Sequence, residues 1–348
     1  MSVYWLLFSF TVLFSLSPVR VEPNLRKILF FLFGLVLAIL IGFRNEVGGD
    51  WFRYVTSAYG VDEGSIFPDY SYIFRGDYGY RVIHWISVQY LYGIYSTNFI
   101  SAFFFTLGLI RFCRTMPLPW TAIAVSVPYM VIIIAMGYTR QSVALGFLMW
   151  GLVDLLNGKE KRYYAALLLG SFFHMTVLIM LPVAAIYYKN KVAIYVSFAI
   201  TLILLYIFWA QISHMFYYYV TIEYHKSSGA IMRVFMAFVS AILFMIYRQE
   251  FKKMFTDERM WFIFSVISIF LFLAVFYYST LVDRVAIYFI PLQLVVFSRI
   301  PILIQSKYYR TVFLTVVVML YASSLFVWLY YGTHASHWLP YGNILFSG

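Results

Sequence analysis

Residues 28–54 read ILFFLFGLVLAILIGFRNEVGGDWFRY, in which an apolar run ends at Phe43 and a charged segment follows directly. The apolar part predicts a membrane-crossing helix, because about 20 such residues span the hydrocarbon core. The charged part holds two arginines, a glutamate and an aspartate within eleven residues. Each charge would cost about 2.5–3.5 kcal/mol to insert into hydrocarbon, so we expect this segment at the membrane surface.

The composition of the whole chain agrees with a membrane location. Of its 348 residues, 63% are hydrophobic and 11% are charged, and the mean hydropathy is +0.83. A soluble fold of this length could not cover so much apolar surface, and the long continuous runs are typical of helices rather than of barrel strands. We therefore predict an all-α polytopic integral membrane protein, with residues 1–348 in a single transmembrane domain.

Charge, cysteine content and the N-terminal sequence narrow the class further. The basic residues are scattered over short loops, so the net charge of +11 does not indicate a nucleic-acid partner. The single cysteine, Cys113, excludes an internal disulfide and a cysteine metal cluster. Residues 1–19 carry neither a basic n-region nor a small-residue cleavage site, so we expect residues 1–17 to form the first membrane helix.

Apolar runs separated by charges, prolines and glycines predict about 12 transmembrane helices, within a range of about 10–13. Residues 81–95 are expected to form an interfacial or re-entrant helix, so that residues 44–96 make an outward-facing loop and helix after the second span. Residues 160–188 are expected to cross twice and to turn near His174, with one long tilted helix as the alternative. The runs lie near residues 2–17, 27–43, 97–113, 119–137, 139–156, 160–173, 175–188, 192–210, 231–248, 259–279, 284–305 and 310–331.

The distribution of basic residues sets the expected orientation. One set of alternate loops contains most of the basic residues and all of the lysines except Lys226. The positive-inside rule makes these loops cytoplasmic, so both termini are expected outside. The cytoplasmic loops are too short to form a nucleotide-binding domain. We therefore predict that any chemistry takes place at the outer face of the membrane.

The segment Arg44–Tyr54 is the first candidate site. Gly48 and Gly49 allow a tight turn whose backbone N–H groups can bind an anion. Arg44 can donate to a phosphate in fork geometry, and Asp50 can act as a base. The structural alternative is a solvated loop in which Arg44 only anchors the helix at the lipid headgroups.

Ionisable residues at four further outward positions extend this candidate. Arg140 opens a helix, where an arginine is costly unless it pairs with an anion or reaches the headgroups. His174 lies between two apolar half-runs and is either a packing residue or a general acid/base. Asp283 and Arg284 open another helix and either neutralise each other or serve the site. Arg233 begins a further span in a similar way.

Several motifs of metal and nucleophilic chemistry are absent from the sequence. It contains no Asp-x-Asp pair, no nucleophile elbow, no His-Glu-x-x-His and no phosphate loop. His214 and His225 have no carboxylate at ligand spacing, so a metal site is not expected between them. We therefore expect chemistry that uses neither a metal nor a cofactor.

At these positions the chain resembles the EpsG-like branch of the Wzy-type polysaccharide polymerases. That family has an Arg-x-x-x-Gly-x-Asp-x-x-x-Tyr element after an early helix, which matches Arg44, Gly48, Asp50 and Tyr54. The sequence differs in having two glycines before Asp50 where one is usual. The other matching elements are Arg140-Gln141-Ser142-Val143-Ala144, His174-Met175-Thr176, Arg284-Val285-Ala286-Ile287-Tyr288 and Trp338-Leu339-Pro340-Tyr341.

The resemblance implies an O-antigen or exopolysaccharide polymerase of the bacterial cytoplasmic (inner) membrane, with a GT-C-like glycosyltransferase bundle. It implies donor and acceptor repeat units linked to undecaprenyl diphosphate, which are joined at the periplasmic or exterior face. Outside the cytoplasm the donor must carry its own activated bond, and arginines can stabilise a departing pyrophosphate without a metal. Besides the lipid bilayer, the candidate partners extend to a separate protein that regulates chain length.

On this interpretation the candidate residues fall into two groups. The catalytic group, in which either His174 or Asp50 is the base, is His174, Asp50, Arg140 and Arg284. The substrate-binding group is Arg44, Arg53, Arg233, Trp51, Tyr54, Tyr288, His337 and Tyr341. Aromatic side chains stack on sugars, but anchoring at the membrane interface explains the same residues equally well.

Three other classes of protein are weighed against this one. A flippase for lipid-linked oligosaccharides needs polar residues along a path between both faces, whereas the unusual ones here crowd the outer helix ends. A membrane-bound O-acyltransferase needs a histidine with access to acyl-coenzyme A, and the expected cytoplasmic loops contain none. A purely structural assembly partner leaves the arginines unexplained.

Overall fold

A computed structural model of the protein describes residues 1–17, 22–59, 76–188, 191–207, 213 and 229–346. The described parts of the apolar runs are helical, but the run at 284–305 is divided among Ser279–Ala286, Ile287–Phe289 and Pro291–Leu303. The helices in chain order are α1 Ser2–Leu16, α2 Pro23–Gly42, α3 Trp51–Tyr59, α4 Tyr78–Tyr90, α5 Gly93–Cys113, α6 Pro119–Ser126, α7 Thr139–Leu156, α8 Glu160–Ser171, α9 Leu181–Tyr188, α10 Lys191–Ile207, α11 Ala230–Ile246, α12 Arg248–Met254, α13 Glu258–Ala274, α14 Ser279–Ala286, α15 Pro291–Leu303 and α16 Lys307–Tyr331. Short 3-10 helices cover Met175–Met180, Ile287–Phe289 and Ala335–Trp338.

Helix length bears on the number of membrane spans. Among the described residues, the helices α2, α5 and α16 are long and apolar enough to cross a membrane. Two further spans arise if the bent pairs are continuous, α11 with α12 at 71° and α14 with α15 at 48°. The fold is therefore an all-α membrane protein with three to five candidate spans by length and composition. The total of about 12 spans stays a prediction.

Proline sets the local geometry of several helices. Pro23, Pro119 and Pro291 occupy the first turns of α2, α6 and α15, where a missing N–H costs no intrahelical bond. Pro128 lies inside a longer apolar run, where it removes a donor and widens the helix. That stretch, Val127–Ala135, is a buried π-helix that continues α6.

Residues 160–188 form a hairpin that reverses near His174, as predicted, and not one long tilted helix. The Tyr163 hydroxyl donates to the Met180 carbonyl across the two arms. The Tyr188 hydroxyl donates to the Leu155 carbonyl at 2.9 Å, so the end of α9 returns to the level of the end of α7. The hairpin therefore holds His174 and the start of α7 at the same end of the bundle.

The C-terminal tail closes over that same end, which we call the site end. Strand β2 (Gly342–Asn343) pairs antiparallel with β1 (Arg44–Asn45), directly after α2. The Trp338 indole N–H donates to the Ile132 carbonyl in the π-helix at 2.8 Å, and the Tyr4 hydroxyl donates to the Trp338 carbonyl at 2.8 Å. The tail thus ties the first helices of the chain to the π-helix.

Gly48 shows how closely this end is packed. Its N–H donates to the His337 carbonyl at 2.8 Å, and its φ of 106° lies in the region that favours glycine. A Cβ built at this position would lie 2.0 Å from the Met136 carbonyl oxygen. The glycine is therefore required for the loop after α2 to pass between the tail and the end of the π-helix.

The region after α3 differs in detail from the prediction for residues 44–96. The helix expected at residues 81–95 is α4, which begins at Tyr78 and ends at Tyr90. Helix α5 begins after a break of two residues. Its interfacial position stays a prediction. The charge distribution also predicts outward loops that contain Asp69, Arg75, His214, Tyr217, Glu223 and His225, and these six residues lie outside the described residues.

Candidate active site

Asp77, Arg140 and His174 meet at the site end. Arg140 opens α7 and donates from Nη1 to one Asp77 carboxylate oxygen, while His174 Nδ1 lies 3.5 Å from the other, at the outer limit of a hydrogen bond. The three side chains keep between 16% and 25% of their surface exposed, although the ring nitrogens of His174 are themselves buried. We call these three residues the polar triad.

The backbone brings the triad together from distant parts of the chain. The Gly79 N–H donates to the Phe172 carbonyl at 2.7 Å, which fastens the start of α4 to the hairpin turn that holds His174. A Cβ on Gly79 would lie 3.1 Å from the Phe172 Cβ, so a side chain there would push the two segments apart. Asp77 itself has a φ of 53°, which aspartate tolerates better than most residues. Strained backbone of this kind is concentrated at functional sites.

The protonation states follow from burial and pairing. Burial raises the pKa of Asp77, but the neighbouring His174 ring and the Arg140 guanidinium outweigh this effect and hold the pKa below its usual value. Burial lowers the pKa of His174, and the Asp77 carboxylate opposes that shift only in part. At neutral pH the triad therefore combines a carboxylate, a guanidinium cation and a neutral imidazole.

The nitrogen of the His174 ring that is suited to accept a proton is Nε2. Both ring nitrogens of His174 are buried and have no hydrogen-bond partner among the described residues, although Nδ1 lies 3.5 Å from an Asp77 carboxylate oxygen. Since Nδ1 lies toward the Asp77 carboxylate, the proton of the neutral ring is favoured on Nδ1, which leaves Nε2 as an acceptor. The arrangement can take a proton from a hydroxyl group placed beside Nε2.

Arg284 is held next to the triad by Gln141. Its Nη1 donates to Gln141 Oε1 at 3.0 Å, and the Gln141 amide donates back to the Arg284 carbonyl at 3.1 Å. The guanidinium lies 4.7 Å from the Tyr138 ring centre, within cation–π range. Its charge acts directly on the His174 ring. The charges of Arg140 and Arg284 therefore both lower the pKa of His174.

Tyr288 closes the site from the side of α15. Its hydroxyl is 2.8 Å from Thr176 Oγ1 and is fully buried. Thr176 follows His174 by two residues, so this contact fixes the hairpin turn against the segment after α14. Tyr288 therefore fixes the turn that carries His174 and forms part of the buried wall of the site.

A cavity of about 190 Å³ lies on the other side of Tyr138, and we call it the aromatic cavity. Arg233 lines it but is paired through two nitrogens with both carboxylate oxygens of Asp283, with both side chains buried. This pair holds α11 against α14. The Arg233 guanidinium, which the sequence analysis assigned to substrate binding, is therefore bonded to Asp283. The remaining walls are largely aromatic, including Tyr129, Trp328, Tyr331, His334 and Trp338.

The comparison with known families bears on this arrangement. The EpsG family model matches residues 27–343, nearly the whole chain. The chain belongs to the EpsG family. EpsG is a Wzy-like polymerase family, so membership indicates a polysaccharide polymerase of the glycosyltransferase type in a multi-pass membrane protein. Comparison with curated proteins gave no match, and neither did comparison with solved structures.

The EpsG-like element after α2 has a different position from the one expected. Arg44 is buried, with Nε, Nη1 and Nη2 donating to the Val47 carbonyl, the Ile41 carbonyl and Thr139 Oγ1. These bonds compensate the burial of its charge and fix the loop against the start of α7. Arg44 therefore holds the frame of the site and does not face its opening.

The other members of the element divide between the site and its surroundings. The Tyr54 hydroxyl accepts from Arg140 Nε at 3.3 Å and donates to an Asp50 carboxylate oxygen at 3.3 Å. Asp50 thus reaches the triad only through Tyr54, and the carboxylate beside the histidine is Asp77. Trp51 is buried against Tyr95, away from the opening.

Three of the predicted binding residues, Arg53, His337 and Tyr341, have no described contact with the triad. Arg53 is exposed on α3, and no described contact joins it to the triad. His337 is exposed in the tail and stacks near His334 at the rim of the aromatic cavity. The Tyr341 hydroxyl donates to the Leu40 carbonyl at 2.8 Å and fastens the tail to α2.

Asp77 is the site residue that the sequence did not predict. Its signal was the repeated Gly-Asp-aromatic unit, Gly49-Asp50-Trp51 and Gly76-Asp77-Tyr78, which also fits ordinary turn chemistry. Within the described ranges, no group of three or more His, Cys, Asp or Glu side chains has the placement of a metal site.

Proposed function

We propose that this EpsG-family protein joins oligosaccharide repeat units carried on undecaprenyl diphosphate at the outer face of the bacterial cytoplasmic membrane. The observation that carries the proposal is the gathering of Arg140, Arg284 and a neutral His174 at one end of the bundle. Paired guanidiniums recognise a diphosphate, and a neutral imidazole is suited to accept a hydroxyl proton. The chemistry needs both groups in one place.

The proposed reaction is a displacement at the anomeric carbon of the donor unit. A hydroxyl oxygen of the acceptor unit forms the new glycosidic bond, and the bond from that carbon to the diphosphate oxygen breaks. His174 Nε2 takes the hydroxyl proton, which then passes to the departing diphosphate or to water. Arg140 and Arg284 stabilise the negative charge that grows on the diphosphate as it leaves.

Arg140 keeps donor capacity for this role. Its Nε and Nη1 are bonded to Tyr54 and Asp77, whereas Nη2 has no hydrogen-bond partner among the described residues. The pairing with Asp77 orients the guanidinium before a ligand arrives, so less entropy is lost on binding. The aromatic cavity beyond Tyr138 offers ring faces against which a sugar of either repeat unit can pack.

A flippase for the same lipid is the competing class, and the middle of α7 gives it little support. Between the site end and the opposite end, α7 presents Leu145, Leu148 and Met149, all fully buried in an apolar core. A charged oligosaccharide carrier would need polar groups along that path.

Reconstitution of the purified protein tests the polymerase proposal. In vesicles that contain single repeat units on undecaprenyl diphosphate, we expect a ladder of longer lipid-linked glycans and release of undecaprenyl diphosphate, measured by gel and mass spectrometry. Units linked through a monophosphate should give no ladder, because the leaving group then lacks one phosphate. Movement of single units across the bilayer without any elongation would support the flippase and overturn the proposal.

Cysteine labelling tests the outward direction of the site end. The native Cys113 is fully buried and should give no background. Ser336 in the tail and Lys159 before α8 are both exposed, at opposite ends of the bundle. An impermeant thiol reagent added to cells with a permeabilised outer membrane should label Ser336→Cys, and Lys159→Cys only after lysis. The reverse pattern would put the site end in the cytoplasm.

A further inference from the structure

Two cavities lie side by side at the end of the bundle opposite the polar triad. The first, of about 420 Å³, lies between α5, α7 and α8, and the second, of about 340 Å³, lies between α2, α5 and α7. Arg111 and Trp150 line both, so their side chains form a ridge between the two. Neither cavity is used by the proposed reaction.

The ridge is rigid. The Arg111 guanidinium donates through Nη1 and Nη2 to the two carboxylate oxygens of Asp154, at 2.9 and 2.8 Å. It also lies 4.2 Å from the Trp150 ring centre and donates to the Trp150 carbonyl at 3.2 Å. Such a fork-and-stack geometry holds the side chain in one place without a ligand.

The walls near the ridge are basic. Arg162 lines the first cavity and Arg114 lines the second, and both side chains are exposed. Together with Arg111 they set three guanidiniums against the single carboxylate of Asp154. Asp154 is the one carboxylate among the residues that line the two cavities, and both of its oxygens accept hydrogen bonds from Arg111, so positive charge exceeds negative charge in the lining.

The rest of the lining is apolar and open to the side. Phe31 and Leu35 on α2 flank one cavity and Leu169 on α8 flanks the other, and these three are exposed at 63%, 37% and 50%. In a chain that spans a membrane, such exposed apolar side chains face lipid. The two cavities are therefore apolar clefts that open toward the bilayer, with arginines at the membrane-surface end of α5 and α8.

We propose that this pair of cavities binds one anionic phospholipid of the surrounding leaflet. Its phosphodiester is held by Arg114 and Arg162, and its two acyl chains lie on either side of the ridge formed by Arg111 and Trp150. Basic pockets between membrane helices recognise anionic headgroups in this way. The apolar clefts select a lipid over a free phosphate, which would leave them empty. The inference is independent of the proposed reaction and of which leaflet the ridge faces.

Thermal unfolding of the purified, delipidated full-length protein tests the proposal. Added phosphatidylglycerol should raise the melting temperature saturably, since a ligand that binds only the folded state stabilises it. Phosphatidylcholine and inorganic phosphate should produce no such rise. Native mass spectrometry should show one tightly retained phosphatidylglycerol. Equal stabilisation by phosphatidylcholine would overturn the proposal, and preferential retention of a polyprenyl phosphate would assign the site to a different lipid.

Matched variants separate the effect of charge in the two cavities from the effect of the net charge of the protein. Arg114→Gln combined with Arg162→Gln should weaken phosphatidylglycerol binding by about 30-fold, at roughly fivefold for each charge. Lys252→Gln combined with Lys253→Gln removes the same charge from exposed positions on α12 and should leave binding unchanged. Equal binding by the two double variants would contradict the assignment.

A second pair of variants tests the cleft. Ala165 is exposed and lines the first cavity, so Ala165→Phe should fill it without disturbing the core and should displace the lipid. Leu168→Phe alters the same helix at an exposed position that lines neither cavity, and should bind lipid normally. Because the readout is binding, it holds whether or not the protein polymerises glycans.

Discussion

Replacing Arg140 by alanine is expected to abolish long surface polymer and to leave single repeat units in place. The guanidinium supplies charge to the diphosphate as it leaves, and loss of one such donor lowers turnover by roughly 10³-fold. Polysaccharide length on gels, in cells that lack the native chromosomal copy, measures the effect. Arg140→Lys keeps the charge beside Asp77 but loses the planar fork, so we expect it to restore only a small part of the activity.

The control for Arg140→Ala is a variant that removes an ion pair far from the polar triad. Arg248 donates to Glu258 at the opposite end of the bundle, so Arg248→Ala tests the loss of a pair as such. We expect normal polymer length in that variant and comparable protein levels in both. Normal polymer length in Arg140→Ala and Arg284→Ala would remove the diphosphate role, and loss of surface single repeats would favour the flippase.

Replacing Asp77 by asparagine is expected to lower polymerisation by about 10²–10⁴-fold and to move the acid limb of the pH profile. Asparagine keeps the shape but neither orients the imidazole nor stabilises the imidazolium. The pKa of His174 already lies below its usual value because of burial, and the Asp77 charge counters that shift. Without the carboxylate the pKa falls further, so the pH at which activity is lost on acidification should move lower. His174→Ala should remove the acid limb together with the activity.

Asp50→Asn is the matched control. It makes the same chemical change at a carboxylate that is connected to Arg140 through the Tyr54 hydroxyl. It decides between the two bases that the sequence left open. We expect the acid limb to stay in place in this variant. Loss of the activity and of the acid limb in Asp50→Asn, together with an unshifted profile in Asp77→Asn, would transfer the role of base to Asp50. The rates and profiles are measured on the reconstituted protein between about pH 4 and 8, where histidine and carboxylates titrate.

Much of the fold could be predicted because apolar runs and their breaks are local features. The reversal near His174 followed from the basic residues that flank residues 160–188, since a single crossing would have placed Lys189 and Lys191 on the wrong side. The position of α4 could not be set as well, because a short amphipathic helix lacks the length signal of a membrane span. The number of spans is likewise not fixed by helix length alone, as the bent pairs show.

The candidate site was only partly predictable. Charge at helix ends identified Arg140, His174 and Arg284, because burying such groups is costly unless they have a function or a partner. The same argument could not tell a partner from a function, and Arg44 and Arg233 proved to be paired within the protein. Asp77 was missed because its role depends on the contact between Gly79 and Phe172, which joins segments far apart in sequence.

The contact between the C-terminal tail and α2 has a consequence for biosynthesis. Tyr341 follows its partner Leu40 by 301 residues, so a ribosome that adds about 5–20 residues per second reaches it roughly 15–60 s later. Helix α1 and most of α2 are made before that interval begins, and the π-helix is made within about its first third, but the Trp338 indole that packs between them is added only near its end. The site end of a nascent chain therefore lacks its closing contacts until the tail has been translated.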